Sequence, residues 1–148
     1  MTHLSIEASM NIFLVLVTFL ISFKTSAVTL EVTAKNNVLL LHSSYEHILP
    51  STVGKISVDV FDKESIPYKG GAYVISQLFE LGGRGADDIE IISESEMKAY
   101  GWCFSINGDV PNTMPDMTDV IDQNSKIVWF YAYAHYKNGA WIGQCVRD

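Results

Sequence analysis

Residues 100–145 read YGWCFSINGDVPNTMPDMTDVIDQNSKIVWFYAYAHYKNGAWIGQC, and they hold all three tryptophans (Trp102, Trp129, Trp141) and both cysteines (Cys103, Cys145) of a 148-residue chain. The first eight residues alternate. Tyr100, Trp102, Phe104 and Ile106 share one side, and Gly101, Cys103, Ser105 and Asn107 share the other. Successive side chains of a strand point to opposite faces, so this pattern predicts a strand with one aromatic face. Asn107-Gly108-Asp109 ends it, because Asn and Gly tolerate positive φ. A polar loop with two prolines follows.

Residues 126–136 predict the second strand. Val128, Phe130, Ala132 and Ala134 lie on one side; Ile127, Trp129, Tyr131, Tyr133 and His135 lie on the other. The small, aliphatic side suits close packing under a helix, which leaves Trp129, Tyr131, Tyr133 and His135 as an outward stripe. Lys137-Asn138-Gly139 is a hairpin signal, since Asn-Gly fits the type I′ turn that matches strand twist. Residues 140–146 return as its partner.

Upstream, residues 28–34 (VTLEVTA) and 38–42 predict a hairpin about the Lys35-Asn36-Asn37 turn. Residues 55–61 (KISVDVF) alternate and read as a half-buried strand. Gly70-Gly71 leads into a predicted helix over residues 72–81 (AYVISQLFEL), with Val74, Ile75, Leu78, Phe79 and Leu81 at helical spacing and Gly82-Gly83 as its stop. Residues 87–92 add a short strand, and 93–98 are polar and turn-like. One helix against a mostly antiparallel sheet is an α+β domain.

The N-terminal run NIFLVLVTFLISF, residues 11–23, is apolar apart from Thr18 and Ser22. A transmembrane helix needs about 20 apolar residues, so the run is short for one. Thr25-Ser26-Ala27 offers small residues for cleavage. Residues 1–27 therefore read as a secretory signal peptide, with Met1 or Met10 as the start, and residues 28–148 as one domain. The alternative is an uncleaved anchor. A secreted or periplasmic location permits a Cys103–Cys145 disulfide, closing a loop of roughly 40 residues and contributing about 3–4 kcal/mol in the chain-entropy picture. The alternative is two buried thiols.

Charged residues make up 18% of the chain, hydrophobic ones 48%, and the net charge is −7. This balance argues against disorder, nucleic acid and anionic membrane surfaces.

The pattern G-W-C-F-S-I-N-G, then a polar loop, then S-K-I-V-W-F-Y, resembles the transcobalamin-like C-terminal domain family of extracytoplasmic domains. Trp102, Phe104, Ile106, Asn107 and Gly108 match the first half of the family pattern, and Ile127, Trp129 and Tyr131 the second. Asn124-Ser125-Lys126 departs from the family's Gly-Asp turn. The resemblance implies a β-grasp-like arrangement and a corrinoid as a ligand to consider. In the carriers of that family a large helical domain holds the other side of the ligand, and this chain is too short to contain one.

The candidate ligand-binding residues are Trp102, Phe104, Asn107, Trp129, Tyr131, Tyr133 and His135. Trp and Tyr stack on flat ligands or sugars while their polar atoms reach water. The competing reading buries the Trp129 stripe under the N-terminal hairpin and makes Trp102 a core residue. Asn107 also serves the turn. His42, His47 and His135 lack metal-ligand spacing, and Asp109, Asp116, Asp119 and Asp122 lack a calcium-loop pattern, so no metal is expected. No G-x-S-x-G, H-E-x-x-H or P-loop motif occurs, so the chain reads as a non-enzyme. The expected function is a secreted or periplasmic binding module for a planar small ligand, corrinoid-like or carbohydrate, with no resident cofactor. The alternative is an exported protein–protein interaction domain of inhibitor or effector type.

Overall fold

The computed structural model describes residues 26–147. The expected signal peptide falls almost wholly outside the described residues. Ten strands and one α-helix occur among those described: β1 (Val28–Thr33), β2 (Leu39–Tyr45), β3 (Ser51–Thr52), α1 (Val53–Lys63), β4 (Tyr68–Gly71), β5 (Val74–Leu78), β6 (Ile89–Ser93), β7 (Glu96–Ile106), β8 (Asp119–Val120), β9 (Lys126–Lys137) and β10 (Ala140–Val146). The domain is α+β, as expected. No helix among the described residues is long and apolar enough to cross a membrane.

The main sheet runs β2-β1-β9-β7-β6, and β10 also pairs with β9. β1 is parallel to the start of β9, while β10 is antiparallel to its end. These two strands thus share one edge of β9. The other edge pairs with β7 over eleven residues without a register shift. Directly opposed residues of an antiparallel pair share a face. Trp102↔Tyr131, Phe104↔Trp129 and Ile106↔Ile127 therefore define one face, and Cys103↔Phe130 and Gly101↔Ala132 the other.

The expected helix and one expected strand exchange places. Residues 53–63, read as containing a strand, are the helix. Val53, Ile56, Ser57, Val60 and Phe61 are buried, at helical spacing. Thr52 Oγ1 accepts from the Lys55 N–H at 3.2 Å and caps it. At the far end, the Ile66 and Ser65 N–H groups donate to Phe61 O and Asp62 O, with Ser65 left-handed at φ 56°. That is a Schellman closure with serine in place of the usual glycine.

Residues 72–81, read as the helix, form the β4–β5 hairpin and its exit. Phe79 and Glu80 are both left-handed, at φ 49° and 64°, which no α-helix allows. The apolar spacing of AYVISQLFEL fits both periods, and no capping residue precedes it. Ile75 and Leu78 reach the core from a strand.

The helix also packs on the face opposite to the expected one. It lies over Ile127 and Trp129, not over Val128 and Ala132. Trp129 Nε1 donates to Ser57 Oγ at 2.8 Å within the core. Val28, Leu30 and Val32 extend that core across β1, because Leu30 pairs with Ile127 and Val32 with Trp129. Gly54 makes the close approach of α1 to the β4–β5 turn possible: a Cβ there would lie 1.7 Å from Ala72 O.

The Cys103–Cys145 disulfide is formed, with a Cα–Cα distance of 5.8 Å. Cys103 belongs to β7 and Cys145 to β10, with β9 between them. Strands two apart in a flat sheet are about 9.5 Å apart, so the end of β10 must lift and fold over β9. Bulges between Gly143 and Val146, with Cys145 at φ 51°, make that bend. The fold-over covers Phe130, whose ring lies 3.9 Å from the Arg147 guanidinium.

Candidate functional site

A groove of about 450 Å³ lies beside the middle of β7. Trp102, Phe104 and Trp129 line one side, Val110, Pro111, Met114 and Met117 the other, and Val74 and the disulfide its ends. The aromatic side is held in place. Trp102 Nε1 donates to Leu81 O at 2.9 Å, and its ring meets Tyr131 edge-on at 5.3 Å. Gly82, at φ 83°, lets the chain pass between β5 and the indole, since a Cβ would lie 2.7 Å from Ser76 O and 3.3 Å from the Trp102 ring. Phe104 sits 5.4 Å from Trp129, ring centre to ring centre.

The loop wall is also braced. Thr118 Oγ1 donates to Met114 O at 3.0 Å and meets Thr113 Oγ1 at 2.7 Å. Thr118 O accepts from the first helical N–H, that of Val53, at 2.9 Å. Fully buried Val120, in β8 against β3, pins the loop's exit. Both walls are thus tied to α1 and the core.

The outer edge of β7 opens into this groove. In an antiparallel ladder, the N–H and C=O of one residue point to the same neighbour and alternate along the strand. Asn107 N–H donates to Lys126 O on β9 at 2.8 Å, so odd-numbered residues address β9. Even-numbered ones address the other side. There β6 pairs only as far as Ala99, and Ile106 closes on Asp109 with bonds of 2.9 and 3.0 Å. Between these limits the main-chain groups of Trp102 and Phe104 face the groove and meet no hydrogen-bonding partner among the described residues.

The predicted residues divide. Trp102, Phe104 and Trp129 come together at the groove, beside the disulfide. The outward aromatic stripe does not exist as expected: Trp129 is 1% exposed and Tyr131 5%. α1 covers the first, and the turn at residues 85–88 holds the second through Asp88. The strands of the N-terminal hairpin extend the sheet edgewise, and only Lys35 of its turn reaches over the Tyr131 ring, at 6.0 Å. Asn107 is a turn residue at φ 52°, exchanging bonds with Lys126 through its main-chain N–H and its Oδ1.

Tyr133 and His135 are half-buried and lie away from the groove. Lys98 Nζ sits 4.3 Å over the Tyr133 ring, and His135 Nε2 is 2.8 Å from Glu96 Oε1. Tyr100 stacks on Tyr131 at 6.0 Å beneath Lys35 Nζ. This half of the sheet is occupied by its own charged side chains.

Asp88 is its centre. It accepts from the Arg84 main-chain N–H at 2.7 Å, the Arg84 guanidinium at 3.0 Å and the Tyr131 hydroxyl at 3.0 Å. Burial pushes the Asp88 carboxyl up, but these donors together outweigh it and hold it below the ordinary carboxylate range. Burial, then the bond to Asp88, pushes Tyr131 up to about 12.

Val74 and the apolar loop residues were not anticipated. The available signal was Val110, Met114 and Met117 within a stretch that is otherwise polar and acidic. Apolar side chains gathered on one exposed loop mark a groove or contact surface, where single ones would not. No group of three His, Cys, Asp or Glu side chains among the described residues could hold a metal ion.

No protein-family model and no curated protein matches the chain. Among solved structures it is similar to one from Ruminococcus gnavus ATCC 29149, described as that of a candidate metal binding protein. The identity is 17%, over 78% of this chain and 99% of that one, with a TM-score of 0.48.

Proposed function

We propose that the chain is an extracytoplasmic binding module, secreted or periplasmic, whose site is the groove beside β7. One observation carries this reading: a concavity of about 450 Å³, apolar on both walls, with Trp102 fixed in one of them. Small-molecule sites occupy about 300–1,000 Å³ and are lined mainly by apolar and aromatic groups. The ligand is a flat apolar group, such as the rim of a corrinoid-like macrocycle. A carbohydrate fits less well, because the lining offers few polar side chains beyond Asn112, Thr113 and Gln144. The disulfide supports an oxidising compartment. The transcobalamin-like and β-grasp-like readings belong to the same proposal, supported by the Trp102–Gly108 pattern on β7 and its turn.

A second reading, a docking site for another protein, is favoured by the open main-chain edge at Trp102 and Phe104.

Tryptophan fluorescence tests the groove. Trp141 is 51% exposed and does not line the groove, so a Trp141→Phe background isolates Trp102 and Trp129. Titrating corrinoids, haem and oligosaccharides should give a saturable change with a flat apolar ligand. Trp102→Phe should weaken it. An unchanged spectrum with every ligand would count against a small-molecule site.

A further inference from the structure

We propose that the outer edge of β7 at Trp102 and Phe104 receives an extended polypeptide segment as an added strand, with its apolar side chains seated in the groove. This rests on the groove being a binding site and makes the second reading, docking of another protein, specific: the partner is an extended strand in place of a flat ligand.

Three observations converge. First, Trp102 and Phe104 present two N–H donors and two C=O acceptors at the two-residue repeat of a strand. An extended main chain offers the matching groups at the same repeat, which a flat aromatic ligand does not.

Second, open volume continues along this edge. The groove of about 450 Å³ touches Trp102 to Phe104, and a second void of about 410 Å³ touches Ala99 to Trp102. Together they follow the stretch that β6 leaves uncovered. Natural sheets blunt such edges with charges, prolines or covering loops. Here the facing loop stands off and presents Val110, Met114 and Met117. Methionine adapts its shape to varied apolar side chains.

Third, the loop and its exit carry Asp109, Asp116, Asp119 and Asp122, all exposed, with no Lys or Arg from residue 107 to 125. The occupant is therefore a segment with apolar side chains at alternate positions and basic residues flanking them. Register follows from the same alternation, because a one-residue slip would turn the apolar set away from the groove.

The test uses the oxidised protein and a capped decapeptide with Leu and Phe alternating with Thr and with Lys at both ends. Two derivatives are N-methylated on alternate main-chain nitrogens, one set at the apolar positions and the other at the threonines. The parent peptide should bind, slow amide hydrogen exchange at Trp102 and Phe104, and bind more weakly as salt rises. One N-methylated set should bind about tenfold or more weakly and the other nearly as well as the parent, since only one set faces β7.

Absence of peptide binding, or binding equally sensitive or insensitive to both methylations, would overturn strand addition. The two readings then separate through haem. A haem-induced fluorescence change lost in Trp102→Phe would retain the groove as a small-ligand site, and failure of both probes would remove both readings.

Discussion

The indole N–H of Trp129 and the hydroxyl of Ser57 lie 72 residues apart in sequence and 2.8 Å apart in space, both fully buried. Ser57 in turn donates to Val53 O at 2.7 Å. This relay joins the central strand β9 to the first turns of α1. It explains how the widest aromatic side chain can occupy the core with its one polar atom satisfied. Ser57→Ala should leave that N–H without a partner and cost about 1–3 kcal/mol in urea unfolding. A double-mutant cycle with Trp129→Phe should be non-additive. Additive losses would mean that the two side chains are energetically independent.

Gly54 gives a prediction about shape rather than polarity. Its missing Cβ is the space into which Ala72 O projects, at 1.7 Å from where that Cβ would be. Since the obstacle is main chain, a side chain cannot rotate away to relieve it. Gly54→Ala should displace α1 from the β4–β5 hairpin and cost at least about 2 kcal/mol, despite alanine's better helix propensity. A stabilised Gly54→Ala variant would show that the helix and the hairpin adjust freely.

The disulfide spans 42 residues, for which the chain-entropy relation predicts about 4 kcal/mol of stabilisation. Reduction, or Cys103→Ser with Cys145→Ser, should lower the urea midpoint and raise the denaturant slope as the unfolded chain expands. It should also free the end of β10 from Phe130, detected as faster amide exchange at Tyr133, which pairs with Val146 of β10. Loss of stability without a change at Tyr133 would separate the cross-link's entropic role from its covering role.

Asp88 and Tyr131 set opposite pH limits. The folded Asp88 carboxyl lies below its unfolded value, so its contribution is present above about pH 4 and lost as pH falls through the folded value. Tyr131 moves from 10.0 to about 12 on folding, so its contribution is present below pH 10 and lost as pH rises from 10 to 12. Tyr131→Phe should flatten the alkaline limb and weaken the acid one, because Asp88 loses a donor. Urea midpoints across the pH range check both. An unchanged alkaline limb would place that titration on another group.

Much of the β architecture was legible because its signals are local. Asn138 and Gly139 take the left-handed conformations that their turn requires, at φ 50° and 87°, and neighbouring strands follow from that turn. Asn107-Gly108 ends β7 where the pattern stops, again with left-handed φ values. The N-terminal hairpin and the alternation of β7 from Tyr100 onward were equally plain, although Glu96–Lys98, read as turn-like, also belong to β7. The two cysteines in an exported-looking chain pointed to one cross-link. The helix was misplaced because ten residues of mixed apolar character satisfy both periods. Thr52, a capping residue at the start of the true helix, was the overlooked discriminator.

The amino-acid sequence by itself determined the α+β class, the main strand-forming segments, the turn positions and which two cysteines could pair. Those depend on side-chain alternation, backbone freedom at Asn and Gly, and count. Only the tertiary structure decided which face of β9 is covered. Alternation shows that Trp129 and Phe130 point in opposite directions but cannot say where helix and C-terminus will lie, and both faces turned out to be buried. The parallel pairing of β1 with β9, about a hundred residues apart, was likewise a matter of global packing. So was the open edge at Trp102 and Phe104. Whether a main-chain group has a partner depends on what lies beside the strand, and β6 stopping at Ala99 while the loop at residues 110–117 stands away is a fact of three dimensions alone.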